Sequence, residues 1–335
     1  MRQEWKNTLY LYVDQYNRNE VDDRNHALQA PIEDLEYVLK ASERAKRLKG
    51  WYRERGTTPL KSETKAKLMK AREGENEVIA DVEFHIQRNC EQRGLQIVEE
   101  RIERERLTIT NEGSGWVVSR VEAVVPERHS MRMKGSSIPG RDEHSMRSGR
   151  AQPFLNTDVL RGARSARSIP YLREKAVEYA EQWWNEANPR FLSFEDDCTN
   201  YVSQCLFAGG APMNYTGRRE TGWWYKGMVN GREAWSYSWA VADSLERLLT
   251  YNEAGLRATV VSRASDLQLG DIIAYDWDGN GHYQHNSIVT SFDKSGMPLV
   301  NAHTTNSRHR YWDYQDSYAW TGATQYRFLH IVDAF

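Results

Sequence analysis

The feature that most constrains the fold of this chain is a stretch near its middle that lacks hydrophobic periodicity. Residues 126–168 are rich in Gly, Ser, Arg and Pro, and they carry nine Lys or Arg against four Asp or Glu, an excess of 9 − 4 = +5. Such a composition is typical of a solvated linker. A chain of 335 residues is long enough for about two domains of ~100–200 residues each. The sequence therefore predicts a domain over 1–125, a basic flexible linker over 126–168 and a second domain over 169–335.

The first part of the chain predicts helices followed by strands. Spaced apolar positions or a helix-forming composition favour helix over three segments: 2–16, 31–49 and 61–72. Alternation of apolar and polar residues favours strands over three further segments: 78–86, 96–110 and 115–125. The turn at 111–115 joins the last two strands into a hairpin. We expect an α+β domain, cystatin-like or NTF2-like, in which no residue group suggests chemistry, and Cys90 is an ordinary buried side chain.

The second part predicts two helices and then an antiparallel sheet. A helix is expected over 170–188, and a second begins near Cys198 and ends at Gly209-Gly210. The later segments DIIAYDW, HNSIVTSF, PLVNAHT and YRFLHIV are short and rich in β-branched and aromatic residues, with tight turns between them. The turn at 276–281 also resembles the start of a calcium loop, but its twelfth position is Ser287 instead of Glu, so a hairpin turn is favoured.

Cys198 is the candidate nucleophile of the second part. It follows Asp196-Asp197, residues that suit the N-terminus of a helix, where the helix dipole lowers the pKa of a thiol and favours thiolate. The Cys198 N–H is expected to help bind an oxyanion. The alternatives are a small buried side chain, which is common for cysteine, and a metal ligand, which lacks a neighbouring Cys or His at metal spacing. Cys205 lies two turns further along the helix and is interpreted as packing.

A thiolate nucleophile needs a nearby histidine. Among His282, His285, His303, His309 and His330, we select His285 because it opens a strand directly after a tight turn. On the next strand, Asn301 and His303 share one face, so either could orient the imidazole.

These blocks resemble the amidase domain found in Bacillus-type proteins, itself similar to the NlpC/P60 and CHAP groups of papain-like cell-wall hydrolases. The resemblance rests on DCTNYVSQCLFAGG, QHNSIVT and PLVNAHTTNSRHRYWDYQDSYAW in this order, and covers residues 169–335. It implies a papain-like fold with Cys198, His285 and Asn301 as catalytic residues, His303 being the alternative third member. Thr199-Asn200-Tyr201 depart from the small residues that usually follow the nucleophile in NlpC/P60 proteins. The implied reaction is hydrolysis of an amide bond in a peptidoglycan stem peptide, or of the N-acetylmuramoyl–alanine amide, through a thioester.

Aromatic residues after the Cys198 helix could line a substrate groove or form the core. The candidate substrate-binding residues are Asp197, Trp223, Trp224, Trp239 and His303.

The composition of the chain limits the kinds of partner that it is expected to bind. The formal net charge of −2 gives no reason to expect nucleic acid, and the sequence has neither a signal-peptide core nor a long apolar run, so membrane insertion is not expected. Three cysteines cannot form a disulfide framework, which favours a reducing compartment. We expect a cytoplasmic location, with release to the cell wall left open, no metal or cofactor, and a peptidoglycan or peptide substrate. The alternatives are a cysteine acyltransferase, a cytosolic peptidase, or a non-catalytic module that binds cell wall or a partner.

Overall fold

A computed structural model describes residues 4–21, 31–113, 115–128 and 168–335. The predicted α+β class is confirmed. The helices, numbered in chain order, are α1 (Glu4–Val21), α2 (Leu35–Arg55), α3 (Arg173–Gln182), α4 (Cys198–Ala208), α5 (Tyr237–Ala240) and α6 (Ala242–Tyr251). The strands are β1 (Thr58–Glu73), β2 (Glu77–Gln92), β3 (Leu95–Asn111), β4 (Trp116–Val124), β5 (Tyr225–Val229), β6 (Arg232–Trp235), β7 (Ala258–Val261), β8 (Ile272–Asp276), β9 (His285–Phe292), β10 (Pro298–Ala302), β11 (Ser307–Tyr311) and β12 (Gln325–Ile331).

The N-terminal part contains two helices and four antiparallel strands. The predicted helices near the start of the chain and the predicted hairpin are confirmed, since β3 and β4 pair from Asn111↔Trp116 onwards. The helix predicted over 61–72 is wrong, because these residues lie in β1, which pairs with β2 along its length. β1 is an outer strand with mostly exposed side chains, several of them Lys. Pairing with β2 thus overrides the helix-forming composition, and charge on an outer strand discourages pairing with other chains.

The C-terminal part contains the two predicted helices and the predicted sheet, but α5, α6 and the β5–β6 hairpin, which were not predicted, lie between them. The first helix is shorter than predicted, ending at Gln182, while the helix of Cys198 ends before Gly209 as expected. β8, β9, β10 and β12 confirm the four predicted strands. β11 was not predicted, because the sequence SRHRY shows charge and no apolar alternation.

One sheet runs through both parts of the chain. Its strand order is β1-β2-β3-β11-β10-β9-β8-β12-β7, with β4 on β3. The junction is the antiparallel pair β3–β11, where Ser307 faces Arg101 and Arg308 faces Glu100. The two predicted domains therefore share a continuous sheet. The predicted linker lies almost wholly outside the described residues, apart from one 3-10 turn at Pro126–Arg128 and Ser168.

The C-terminal end of this sheet has a different core on each face. Alternate residues of β9 belong to different cores. Ile288 packs with Tyr201 and Val202 of α4, whereas Val289 packs on the other face with Tyr275 and Trp277. Because successive side chains of a strand point to opposite faces, this division fixes which residues of β9 can approach α4.

A buried network of charges lies where the two parts meet. Glu20 of α1 pairs with Arg44 and Arg88, and Arg101 lies 3.1 Å from the same carboxylate. Asp316, from the C-terminal part, lies 3.5 Å from Arg88 and 2.9 Å from Arg310. Such a network ties the N-terminal helices and strands to the C-terminal part, because removing one partner leaves an uncompensated buried charge.

None of the helices in the described part of the chain is both long and apolar enough to cross a lipid bilayer.

Candidate active site

Cys198 is the first residue of α4, as the sequence predicted. The preceding Asp197 occupies the N-cap position, but its side chain makes no capping hydrogen bond to the helix backbone. Its Oδ1 instead accepts hydrogen bonds from Phe194 N at 3.0 Å and Asn200 Nδ2 at 2.8 Å. The Asp197 side chain is therefore held in place, with Oδ2 left for another partner.

Cys198 is 4% exposed, and its sulfur is surrounded by hydrogen-bonding groups. Burial raises the pKa of the thiol above its usual value, while hydrogen bonds from the Thr199 side chain, the Asn286 backbone and the Thr304 side chain act in the opposite direction. The expectation of a lowered pKa is therefore wrong for this arrangement, because desolvation outweighs the helix terminus. The structure provides donors that would stabilise a sulfur anion once it forms.

The backbone N–H of Cys198 is already engaged. It donates to Thr304 Oγ1 at 3.0 Å, so the oxyanion-binding role predicted for it requires displacement of this hydroxyl. Thr304 has a φ of 80°. A threonine in the left-handed region is uncommon, and such strain is found where a side chain must be held in a particular place.

His285 does not approach Cys198 in this structure. Its ring packs against Tyr275, Trp277 and Tyr314 on the sheet face opposite α4, with centroid distances of 5.3, 5.9 and 5.4 Å. The next residue, Asn286, faces α4 and donates from Nδ2 to Thr199 Oγ1 at 3.1 Å. The predicted strand is thus present, but its register places His285 on the far face.

The environment of His285 disfavours its protonated form. Neither ring nitrogen has a hydrogen-bond partner among the described residues. Burial, together with the positive charge of Arg310, lowers the pKa of His285 to about 3. An imidazole in this position is neutral at physiological pH and lies among aromatic rings.

Asn301 does face α4, but it does not orient His285. Its Oδ1 accepts hydrogen bonds from Thr290 Oγ1 at 2.9 Å and His309 N at 2.8 Å, and its Nδ2 donates to Glu181 Oε1 at 3.0 Å. These contacts connect β10 to β9, β11 and α3. The structure therefore does not form the predicted chain Cys198–His285–Asn301.

His303 is the imidazole that contacts the start of α4. Its Nδ1 lies 2.7 Å from Asp197 Oδ2 and its Nε2 lies 2.6 Å from the carbonyl oxygen of Trp183. The ring stacks on Tyr201 with centroids 4.0 Å apart. Because both ring nitrogens face acceptor oxygens, the doubly protonated ring satisfies both contacts.

The three tryptophans proposed as substrate-binding residues are core residues instead. Trp223 and Trp239 are fully buried, and Trp224 is nearly so. Trp223 Nε1 donates to Ser203 Oγ at 3.0 Å, and Trp239 Nε1 donates to Asn200 Oδ1 at 2.8 Å. Trp224 Nε1 donates to backbone carbonyls within its own loop. The predicted aromatic groove is wrong, because Trp223 and Trp239 pack in the core with α4 and Trp224 is buried within its own loop.

A cavity of about 290 Å³ opens beside the start of α4. Asp197, His303 and Thr304 form part of its wall, so two of the predicted substrate-binding residues do line a cavity. The sequence analysis missed Thr304 and the hydrogen bonds of Thr199. The polar run after β10, His303-Thr304-Thr305-Asn306, was the available signal, since polar residues at a strand end often form sites.

The turn after β8 is a hairpin turn, as favoured. Asp276 accepts backbone hydrogen bonds from Asp278, Gly279 and Gly281 at 3.2, 2.9 and 2.7 Å. These contacts explain the spacing of the acidic residue and the glycines without a bound ion.

Comparison with known families shows that the C-terminal part is similar to an amidase-like family. Residues 170–329 match the family described as "Putative amidase domain". This match suggests amide hydrolysis for the region that contains Cys198 and His303. The further similarity to NlpC/P60 and CHAP hydrolases stays a prediction.

Two proteins of Bacillus subtilis (strain 168) are similar to this chain. Uncharacterized protein YhbB is 50% identical over 167 residues, which are 50% of this chain and 52% of that protein. Uncharacterized protein YjcM is 30% identical over 141 residues, which are 39% of this chain and 30% of that protein. This chain thus matches about half of the first relative and less than a third of the second.

Among solved structures, the intermembrane space region of the chloroplast protein ARC6 is matched with 10% identity and a TM-score of 0.28, over 36% of this chain and 92% of that one. A similarity at this level supports no argument about fold or function.

Proposed function

We propose that this protein hydrolyses an amide bond with Cys198 as the nucleophile. The observation that carries the proposal is the position of the sulfur. It lies at the first residue of α4, ringed by Thr199, the Asn286 backbone and Thr304, within the region that matches the amidase family. Hydrogen-bond donors around a sulfur are suited to stabilising a thiolate, the reactive form of cysteine.

His303 replaces His285 as the proposed proton carrier. In the proposed reaction, the Cys198 thiol first loses its proton to solvent, the thiolate attacks the amide carbonyl, and the His303 imidazolium protonates the leaving amine. Water then attacks the thioester and gives a proton back to His303, which releases the carboxylic acid product and the thiolate. Asp197 positions the ring and stabilises its positive charge through the 2.7 Å contact with Nδ1. To reach the amine, Nε2 must leave the carbonyl of Trp183.

Peptidoglycan is the proposed substrate class. Its support is the resemblance of residues 169–335 to cell-wall hydrolases. The proposed bond is either an amide of the stem peptide or the N-acetylmuramoyl–alanine amide.

The test is digestion of isolated sacculi, with the released fragments identified by mass spectrometry. We expect Cys198→Ala to lower turnover by at least about 10³-fold, the order of effect seen when a nucleophile is removed. Cys205→Ala is the matched control, because Cys205 is buried on the same helix and lies in the apolar core. Unchanged digestion by Cys198→Ala with a folded protein would overturn the proposal.

A further inference from the structure

The cavity beside Cys198 is shared by the two parts of the chain. Its wall includes Glu83, Arg104 and Val124 from the N-terminal sheet, and Glu195 and His303 from the C-terminal part. A volume of about 290 Å³ is close to the lower end of small-molecule pockets, ~300–1,000 Å³. The N-terminal sheet therefore forms one side of the space through which the site is approached.

The charged residues of this wall leave a net negative charge. Arg104 is paired with Glu83, since its Nε and Nη2 lie 3.0 and 2.8 Å from Glu83 Oε2. Asp197 is paired with His303 in the same way. Glu195 is exposed and has no hydrogen-bond or ion-pair partner among the described residues. Because Glu83 and Asp197 each contact a partner within the wall, the Glu195 carboxylate is the acidic group that remains to meet a ligand.

The uncharged polar groups of the wall also suit a donor. Asn185, Ser193, Thr304, Thr305 and Asn306 line the cavity and offer side-chain oxygen atoms as acceptors. An ammonium group has three donors and no acceptor, so it complements a wall of oxygens with one free carboxylate.

Thr304 connects the wall of the cavity to the start of α4. This residue lines the cavity, and its Oγ1 is 3.0 Å from the backbone nitrogen of Cys198. A ligand seated in the cavity would therefore place its neighbouring amide next to the start of α4.

We propose that this cavity is a subsite for a cationic group, an ammonium on the substrate close to the cleaved amide. In this subsite, Glu195 supplies the counter-charge and the N-terminal sheet forms the opposite wall. The inference rests on the proposed role of Cys198 and narrows its substrates to amides that carry a free amino group.

The charge of the subsite is tested with two thiol reagents of opposite charge on the full-length protein. The protein is treated at low ionic strength with trimethylammonium-ethyl methanethiosulfonate, which is cationic, or with sulfonato-ethyl methanethiosulfonate, which is anionic. Modification of Cys198 is followed by peptide mass spectrometry. For each protein, the rate with the cationic reagent is divided by the rate with the anionic reagent, and this ratio is then divided by the same ratio for glutathione. The normalised ratio measures the local charge near Cys198 and does not depend on the fraction of Cys198 that is ionised. We expect the normalised ratio to favour the cationic reagent and to fall about threefold or more in Glu195→Gln, as expected for loss of one nearby charge.

Glu186→Gln is the matched control. Glu186 is exposed and lies between Asn185 and Ala187, which line the cavity, but it does not line the cavity itself. Its ratio should equal that of the wild type. An equal ratio for wild type and Glu195→Gln, or no modification of Cys198 by either reagent, would overturn the inference.

The contribution of the N-terminal wall is tested by filling the cavity. Val124→Trp should slow the modification of Cys198 by both reagents severalfold. Val260→Trp, a similarly exposed valine on β7 at the other end of the sheet, should have no effect. Equal modification rates in the two variants would show that the N-terminal sheet is not part of the subsite. None of these measurements requires hydrolysis. The subsite can therefore be disproved while the Cys198→Ala result supports the proposed nucleophile, and the nucleophile can be disproved while the subsite is supported.

Discussion

The reactivity of Cys198 is set by two opposing influences on its sulfur. Burial raises the pKa of the thiol, and three hydrogen bonds lower it by less. The resting protein therefore holds a thiol, and the donors around it become useful when the sulfur loses its proton.

This balance predicts an alkaline pH profile. The rate of Cys198 alkylation by iodoacetamide should keep rising, by about tenfold per pH unit, beyond pH 8, because thiolate is the reacting form. Thr304→Val removes a contact that lowers the pKa, and should shift the profile to higher pH. Mass spectrometry of the modified peptide measures the rate at each pH. A plateau already at pH 6–7 would show that the thiol is ionised in the resting protein.

His285 of β9 and His303, which directly follows β10, should respond differently to replacement. His285→Phe should keep near wild-type turnover of sacculi, because the His285 ring lies among aromatic residues on the face opposite α4. His303→Phe should lower turnover by about 10²-fold or more, the usual contribution of a general acid–base residue. The Phe ring retains the stacking on Tyr201, so thermal unfolding checks that the fold persists. A large loss of turnover in His285→Phe, with turnover kept in His303→Phe, would support His285 as the catalytic histidine, as predicted from the sequence.

Among the elements of the sheet, the β8–β9 hairpin positions the strand that contacts Cys198. Its turn depends on Gly279, which has a φ of +66° and whose Cβ would lie 2.5 Å from the carbonyl oxygen of Ala323. Asp276 additionally accepts the N–H of this glycine. A residue with a side chain fits neither the backbone conformation nor the space.

Gly279→Ala should therefore lower the free energy of unfolding more than Gly281→Ala. Both positions have positive φ, but a Cβ at Gly281 meets nothing within 4 Å. We expect about 1 kcal/mol for Gly281→Ala from backbone strain, and roughly 2–3 kcal/mol for Gly279→Ala from strain and the clash together. Urea denaturation of both variants measures the difference. Equal losses would mean that the Ala323 loop moves aside at little cost.

At the scale of the whole molecule, buried charges and a shared sheet join the N-terminal part to the C-terminal part. Asp316 is central to this junction, since Arg310, Arg88 and Arg101 lie 2.9, 3.5 and 3.8 Å from its carboxylate. These arginines hold the pKa of Asp316 well below its usual range although burial alone would raise it. The cavity proposed as a subsite exists only while this junction is intact.

Asp316→Asn should destabilise the protein by about 3–5 kcal/mol at pH 7, because it leaves buried arginines without their partner. The folded-state pKa of Asp316 is lowered, so its contribution is present above the unfolded pKa of ~3.9 and is lost as pH falls below that value. The difference from wild type should therefore be constant between pH 7 and about pH 5 and shrink below pH 4. Denaturant titrations at several pH values measure it. Asp266→Asn, which removes an exposed pair with Arg263, is the control and should change little.

The sequence alone determined most of the local structure. Apolar spacing located α1, α2 and the helix that begins with Cys198, and alternation located β2 and β3, because these periods report directly which side chains are buried. Short runs of β-branched and aromatic residues located β8, β9, β10 and β12. The sequence also singled out Cys198 and His303, since those residue types at those positions suit chemistry.

Only the tertiary structure decided which of these residues meet. A shift of one residue in strand register moves a side chain to the opposite face, and the pairing of β9 places Asn286, not His285, towards α4. In the same way, β1 and β11 are strands because their neighbours supply hydrogen-bond partners, although their sequences do not alternate. The shared cavity arises from contacts between segments about 200 residues apart, such as Arg308 with Glu100, and local sequence patterns carry no information at that range.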